Sequence, residues 1–128
     1  MNIAIICTAL LGLLLFGLGF HVSLQRRENR RSIGHEASPV DPLHRAVRAH
    51  ANTAEYAPFF AVLFLWYATK PAPAWIIGTI VLATVARFAL AGALLFGPSL
   101  NRPNPGRLFG ALFTYICGVV LAAGLLII

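Results

Sequence analysis

Hydrophobic residues follow one another in four long blocks along the chain. The first block, residues 3–24, carries no charge, and the last, residues 107–128, carries none after its opening arginine. Two less pure blocks, residues 43–69 and 72–96, are separated by Lys70-Pro71-Ala72-Pro73, where prolines cannot continue a helix. About 20 apolar helical residues cross a bilayer core about 30 Å thick. The pattern therefore predicts an all-α integral membrane protein, a single domain (1–128) built as a four-helix up-down bundle.

Composition supports this fold class and excludes others. Of the 128 residues, 59% are hydrophobic and only 11% are charged, with a mean hydropathy of +0.78. The charged share is less than half of the roughly 25% usual for soluble domains. Cys7 and Cys117 lie inside apolar blocks, so the sequence predicts neither a disulfide framework nor a metal site. The net charge of +6 does not indicate nucleic-acid binding, because the arginines lie between hydrophobic blocks.

The cations indicate an orientation in the membrane. Residues 25–48 hold six arginines and the connection before the last span holds Arg102 and Arg107, whereas the hairpin between the second and third spans holds only Lys70. The positive-inside rule predicts that both arginine-rich connections are cytoplasmic. Both termini are then periplasmic if the host membrane is a bacterial inner membrane, as the compact chain suggests. Aromatic residues flanking the hairpin are interpreted as an interfacial belt, namely Trp66, Tyr67 and Trp75.

Four polar residues of the second span are spaced by three, four and three, which places them on one helix face: Arg45, Arg48, Asn52 and Glu55. An isolated carboxylate in hydrocarbon costs about 3 kcal/mol, so Glu55 is expected to face the bundle and meet a cation. Arg48 and Arg87 are the candidate partners. One interpretation is a Glu55–Arg87 pair that only orients two helices.

The same polar face also suggests a ligand. Guanidinium groups bind carboxylates or phosphate with paired hydrogen bonds, Asn52 can donate and accept, and Glu55 can accept from an ammonium or amide. A zwitterionic peptide has this complementary chemistry.

The segment Arg48-Ala-His-Ala-Asn52-Thr-Ala-Glu55-Tyr56-Ala-Pro58 resembles the second-helix signature of the MAPEG family, the membrane-associated proteins in eicosanoid and glutathione metabolism. The resemblance extends along the chain and implies homotrimers embedded in membrane lipid, with glutathione held between neighbouring subunits near the cytoplasmic side. It also implies a glutathione transferase or related enzyme that needs no metal and acts on a hydrophobic small-molecule electrophile.

Carried over by position, the resemblance implies glutathione contacts from several residues: Arg48, Asn52, Glu55, Tyr56, Arg87, and either Arg27 or Arg31 at the end of the first helix. Arg107 looks like the catalytic arginine that stabilises the glutathione thiolate, with Arg102 as its competitor. Leu90 and Leu94 stand where well-characterised enzymes of the family have aromatic ligand contacts, so the chain looks more like bacterial members whose substrates are unsettled.

The same residues are compatible with two other functions. A non-catalytic membrane module would use the polar face to bind lipid or another anion. A small cation antiporter also uses an intramembrane glutamate, but arginines beside Glu55 oppose cation binding. Tyr115 of the last span is interpreted as a core-packing residue, and the alternative is that it reaches the pocket from a neighbouring subunit.

Overall fold

The computed structural model describes every residue from Met1 to Ile128 and consists of four α-helices. Their bounds are α1 Ile3–Asn29, α2 Pro42–Ala68, α3 Ala74–Phe96 and α4 Pro105–Gly124. The predicted all-helical fold of four helices is confirmed. Helix α1 continues beyond the apolar block 3–24 and ends where Arg30 adopts a left-handed conformation, with φ of 51°.

Capping residues explain where three of the helices begin. The side chains of Asn2, Asp41 and Asn104 each accept a hydrogen bond from a backbone N–H of the first turn. Pro42 and Pro105 follow two of these caps at the first helical position, where a missing N–H costs nothing. These local signals fix α2 and α4 relative to the loops that precede them.

Three helices, α1, α3 and α4, are long and apolar enough to cross a membrane. Helix α2 is not among them, because Asn52, Glu55 and other polar residues lower the hydropathy of its middle, and arginines occupy its first turns. The polar segment of α2 is thus the part of the bundle that most needs partners from other helices, other chains or a ligand.

The chain termini lie beside the hairpin of residues 69–73, an end of the molecule called here the hairpin end. The Asn2 side chain donates to the carbonyl oxygen of Ala68 at 3.2 Å, and the Tyr67 hydroxyl donates to that of Leu121 at 2.7 Å. Tyr67 is 1% exposed, so its interpretation as an interfacial belt residue was wrong. Its hydroxyl instead satisfies a carbonyl inside the core.

The two arginine-rich connections, residues 30–41 and 97–104, meet at the opposite end, called here the loop end. The backbone N–H of Leu100 donates to the carbonyl of Pro39 at 3.1 Å. Together with the hairpin end, this contact gives the up-down order of the four helices. Helix α1 packs mainly on α2 and α3 mainly on α4, whereas α2 and α4 touch over a short length only. A groove between α2 and α4 results.

Candidate functional site

A fully buried cation, Arg87, joins three helices at the centre of the bundle. Its Nη2 atom donates to Oδ1 of Asn52 on α2 at 2.6 Å, and its Nη1 atom donates to Oγ1 of Thr114 on α4 at 3.2 Å. The guanidinium also lies over the ring of Tyr56, 5.3 Å from the ring centroid, where a cation–π attraction applies. Both hydrogen-bonding partners are neutral, so neither of them balances the positive charge of Arg87 inside the protomer.

The Glu55–Arg87 ion pair considered from the sequence does not form. Glu55 is exposed on the outer surface of the protomer, and the ion pair that the structure contains joins Arg31 to Glu36 at 3.0 Å. The expectation that Glu55 faces the bundle was wrong for a geometric reason. Asn52 occupies the position that faces Arg87, and three residues later the helix has turned so that Glu55 points about 60° to one side.

The polar face of α2 is in fact two neighbouring rows. Arg45 and Asn52, seven residues apart, both face α3, where Arg45 donates to the carbonyl oxygens of Leu94, at 2.9 Å, and Gly97. Arg48 and Glu55 form the second row and are exposed. Arg45 therefore serves as a cap for the last carbonyls of α3, and the second row is free to meet a ligand or a neighbouring chain.

The groove between α2 and α4, called here the α2–α4 groove, has a volume of about 410 Å³. Its loop-end part is polar and its hairpin-end part is apolar, because both helices run from hydroxyl and carboxyl side chains to aromatic and aliphatic ones. Its lining comprises Glu55, Tyr56, Phe59, Phe60, Thr114, Tyr115, Gly118, Val119 and Ala122. A ligand with a polar and an apolar part matches this gradient.

Tyr115 belongs to this groove, and its interpretation as a core residue was wrong. Its side chain is 54% exposed, and its ring meets that of Tyr56 edge to face at a centroid distance of 5.9 Å. Thr114 faces inward to Arg87, so the next residue on the helix is turned about 100° away and into the groove. The helical spacing of Tyr115, Gly118 and Ala122 is a sequence signal that could have revealed this row.

The predicted arginines of the loop end lie apart from the α2–α4 groove. Arg107 donates from Nη1 to the carbonyl of Leu100 at 2.7 Å and lines, with the exposed Arg102, a separate concavity of about 640 Å³. Seven residues, about 10 Å of helix, separate Arg107 from Thr114. Arg107 therefore lies towards the loop end of the groove rather than within it.

The remaining predicted contacts from α1 are also distant from the groove within one protomer. Arg27 is exposed at the end of α1, and Arg31 is held by the carbonyl of Ile33 and by Glu36. Of the nine residues predicted as a site, the structure brings together Asn52, Glu55, Tyr56 and Arg87. It leaves apart Arg27, Arg31, Arg48, Arg102 and Arg107.

The third helix offers apolar packing where related enzymes were expected to have aromatic ligand contacts. Leu90 and Leu94 are 4% and 3% exposed and belong to a small core cluster with Leu18 and Ala49. The aromatic lining of the site comes instead from α2 and α4.

Comparison with known proteins identifies the family. The model of the MAPEG family matches residues 4–127, nearly the whole chain. No curated protein and no solved structure matches it. The resemblance drawn from the second helix is therefore confirmed, and with three helices able to cross a membrane this chain belongs to the MAPEG family of membrane proteins.

Proposed function

We propose that this protein is a membrane-bound glutathione-binding protein that activates the glutathione thiolate for attack on a hydrophobic electrophile, as a microsomal-type glutathione transferase does. One observation carries the proposal. A fully buried guanidinium, Arg87, lies behind the polar part of the α2–α4 groove and is bound by Asn52 and Thr114, neither of which neutralises it. Its field favours anionic groups in the groove.

Glutathione has groups that complement each part of this site. It carries two carboxylates, an ammonium group, two amides and a thiol. The carboxylates suit the positive field of Arg87 and the exposed guanidinium of Arg48, while the carboxylate of Glu55 accepts from the ammonium. The hydroxyl groups of Tyr56 and Tyr115 line the same polar part and can donate to carboxylate or amide oxygens.

The proposal includes a homotrimer, because the exposed row of α2 needs cover inside a membrane. A charged residue at the centre of a bilayer costs about 2.5–3.5 kcal/mol by insertion scales. Glu55 and Arg48 both lie on the outside of the single protomer. Neighbouring copies that pack on this row remove it from lipid and bring the arginines at the end of α1, Arg27 and Arg31, towards the site.

In the catalytic step the thiol of glutathione loses its proton to solvent, the sulfur lone pair attacks an electrophilic carbon of the acceptor, and the leaving group departs with its electron pair. A guanidinium beside the sulfur lowers the pKa of the thiol, because it stabilises the thiolate. Arg107 is proposed for this role and Arg102 is the alternative. The electrophile arrives through the lipid. The apolar part of the α2–α4 groove holds its hydrophobic body, and its reacting carbon lies towards the loop end, beside the thiolate.

The proposal also includes an orientation, which rests on the positive-inside rule. The loop end, with its arginines, faces the cytoplasm, and the termini at the hairpin end face the periplasm of a bacterial inner membrane. Glutathione then enters from the cytoplasmic side.

Calorimetric titration of the detergent-purified protein with glutathione tests binding. Loss of a hydrogen bond to a charged group weakens binding by about 10- to 150-fold, so Glu55→Gln and Arg48→Ala are each expected to show weaker binding of that order. Glu28→Gln and Arg30→Ala make the same changes of charge at exposed positions in the last turn and the C-cap of α1, and serve as matched controls. Unchanged affinity in both site variants contradicts the proposal.

Turnover of an aryl halide separates binding from catalysis. Arg107→Ala is expected to abolish turnover while glutathione still binds, and Arg102→Ala is expected to leave turnover intact. If instead Arg102→Ala abolishes turnover and Arg107→Ala does not, Arg102 is the residue that stabilises the thiolate. Binding without turnover in the parent protein favours the non-catalytic module.

A further inference from the structure

A second groove runs between α1 and α3 and shares no residue with the α2–α4 groove. This α1–α3 groove has a volume of about 450 Å³ and an almost wholly apolar lining that includes Leu10, Gly17, Phe88 and Phe96. His21 is the one polar side chain in that lining. Neither the glutathione site nor the predicted catalytic arginines involve this groove.

The length of the α1–α3 groove corresponds to one leaflet of a bilayer. From Leu10 to His21 the helix advances eleven residues, or about 16 Å. Half of a hydrocarbon core about 30 Å thick is about 15 Å. The groove therefore matches one extended acyl chain rather than a chain that crosses the whole membrane.

The groove is open along its middle and polar at one end only. A Cβ atom built on Gly17 meets nothing within 4 Å, so this position leaves room against the surface of α1. His21 lies at the loop end of the groove, about 7.5 Å along the helix from Arg26, where the arginine-rich end of α1 marks the headgroup level. Both α1 and α3 are able to span a membrane, so the medium around the groove is lipid.

We infer that the α1–α3 groove binds one phospholipid of the loop-end leaflet, with an acyl chain along Gly17 and Phe88 and the phosphate at His21. An imidazole N–H donates a hydrogen bond to a phosphate oxygen. Arg26, in the last turn of α1, adds positive charge near the anionic phosphodiester, which makes the charges of groove and ligand complementary. The inference is independent of the proposed glutathione chemistry.

Native mass spectrometry of the purified protein measures the bound lipid directly. The probes are phosphatidylglycerol and a diacylglycerol with the same chains, which lacks the phosphate. Gly17→Phe is expected to abolish retention of both lipids, because the ring fills the groove. Gly12→Phe is the matched control on the same helix, since its Cβ position is also open but does not line the groove, and it is expected to retain both.

His21 variants test the polar contact. His21→Ala is expected to weaken phosphatidylglycerol retention about tenfold, the effect of one lost hydrogen bond, and to leave diacylglycerol retention unchanged. His21→Gln keeps an N–H donor and is expected to restore binding. Parent-like retention of phosphatidylglycerol in Gly17→Phe overturns the inference. So does efficient oxidative cross-linking between copies through Gly17→Cys, because a second copy of the chain then occupies the groove.

Discussion

The contacts of Arg87 predict an unusual double-variant result. Replacing Arg87 by Met or Asn52 by Leu breaks the 2.6 Å hydrogen bond between them and leaves the other group buried without that partner. Replacing both residues removes the cation and the amide together and leaves an apolar contact between α2 and α3. Thr114 stays satisfied in every variant, because its hydroxyl also donates to the carbonyl of Gly110 at 2.6 Å.

The decrease in the free energy of unfolding of each single variant depends on which group loses its hydrogen-bonding partner. Asn52→Leu leaves a buried guanidinium short of a partner, at a cost of about 1.5–3 kcal/mol for a hydrogen bond to a charged group. Arg87→Met leaves a neutral amide, at a cost of about 1–3 kcal/mol. Replacing buried ionic groups by apolar ones of similar volume often causes no loss of stability. The free energy of unfolding of the double variant is therefore expected to lie within about 1 kcal/mol of that of the parent.

The assay is reversible unfolding in mixed micelles, followed by circular dichroism, for the parent, both single variants and the double variant. Each variant lowers the free energy of unfolding by a measured amount. The coupling energy between the two positions is the difference between the decrease in the double variant and the sum of the decreases in the two single variants. Neutral hydrogen bonds between membrane helices couple by only about 0.6 kcal/mol on average. A coupling above about 1.7 kcal/mol, the largest value found for such neutral bonds, therefore reports the buried charge.

Glutathione titration of the same double variant then separates fold from function. The variant is expected to be folded yet to bind glutathione at least about tenfold more weakly, because the positive field behind the groove is gone. If the decreases in the free energy of unfolding of the two single variants add up to that of the double variant, Arg87 and Asn52 are not coupled, and the proposed energetic role of their hydrogen bond is refuted. Parent-like glutathione affinity in the folded double variant would refute the role given to Arg87.

Three further predictions concern packing and capping. Gly110→Ala is expected to destabilise by about 1–3 kcal/mol, because its Cβ would lie 2.8 Å or less from three atoms of α3, whereas Gly92→Ala, with open space, is expected to stabilise in the same unfolding assay. Arg45→Met is expected to speed hydrogen exchange in the last turn of α3, whose carbonyls this arginine caps, and unchanged exchange would contradict the capping role. Gly124→Ala is expected to destabilise the parent more than the Tyr67→Phe variant, since its Cβ would lie 2.5 Å from the tyrosine hydroxyl, and equal losses would exclude this clash.

The elements of the fold were predictable because the signals that specify them are local. Charge-free blocks, the paired prolines after Lys70 and the polar caps before α2 and α4 lie within a few residues of the helices that they delimit. Membership of the MAPEG family was predictable for the same reason, since its signature occupies one stretch of α2. No partner helix is needed to recognise any of these features.

The sequence predicts which face of α2 carries the polar residues of the site, but not which of those residues is buried against α3. Spacing placed Asn52 and Glu55 on one side of α2, but a 60° difference around the axis separates the buried position from the exposed one. Which of the two meets Arg87 depends on how α2 packs against α3, and on the position of Arg87 on α3. The sequence of α2 holds no information on either of these. For the same reason Tyr67, predicted at the membrane interface, is buried in the core, and Tyr115, predicted in the core, is exposed in the α2–α4 groove.

The contacts of the arginines show why the number of cations in a sequence overestimates the number of residues that bind a ligand. Five of the nine arginines donate hydrogen bonds inside the protomer, and four of these five use backbone carbonyls: Arg26, Arg31, Arg45 and Arg107. Loop ends and helix C-termini leave carbonyls without intrahelical partners, and a guanidinium with five donors reaches them across several residues. An arginine near a loop end is therefore as well suited to capping as to ligand binding. Because Arg107 already donates to the Leu100 carbonyl, its proposed action on a thiolate requires a second donor of the same guanidinium, and the planar fork of arginine supplies one.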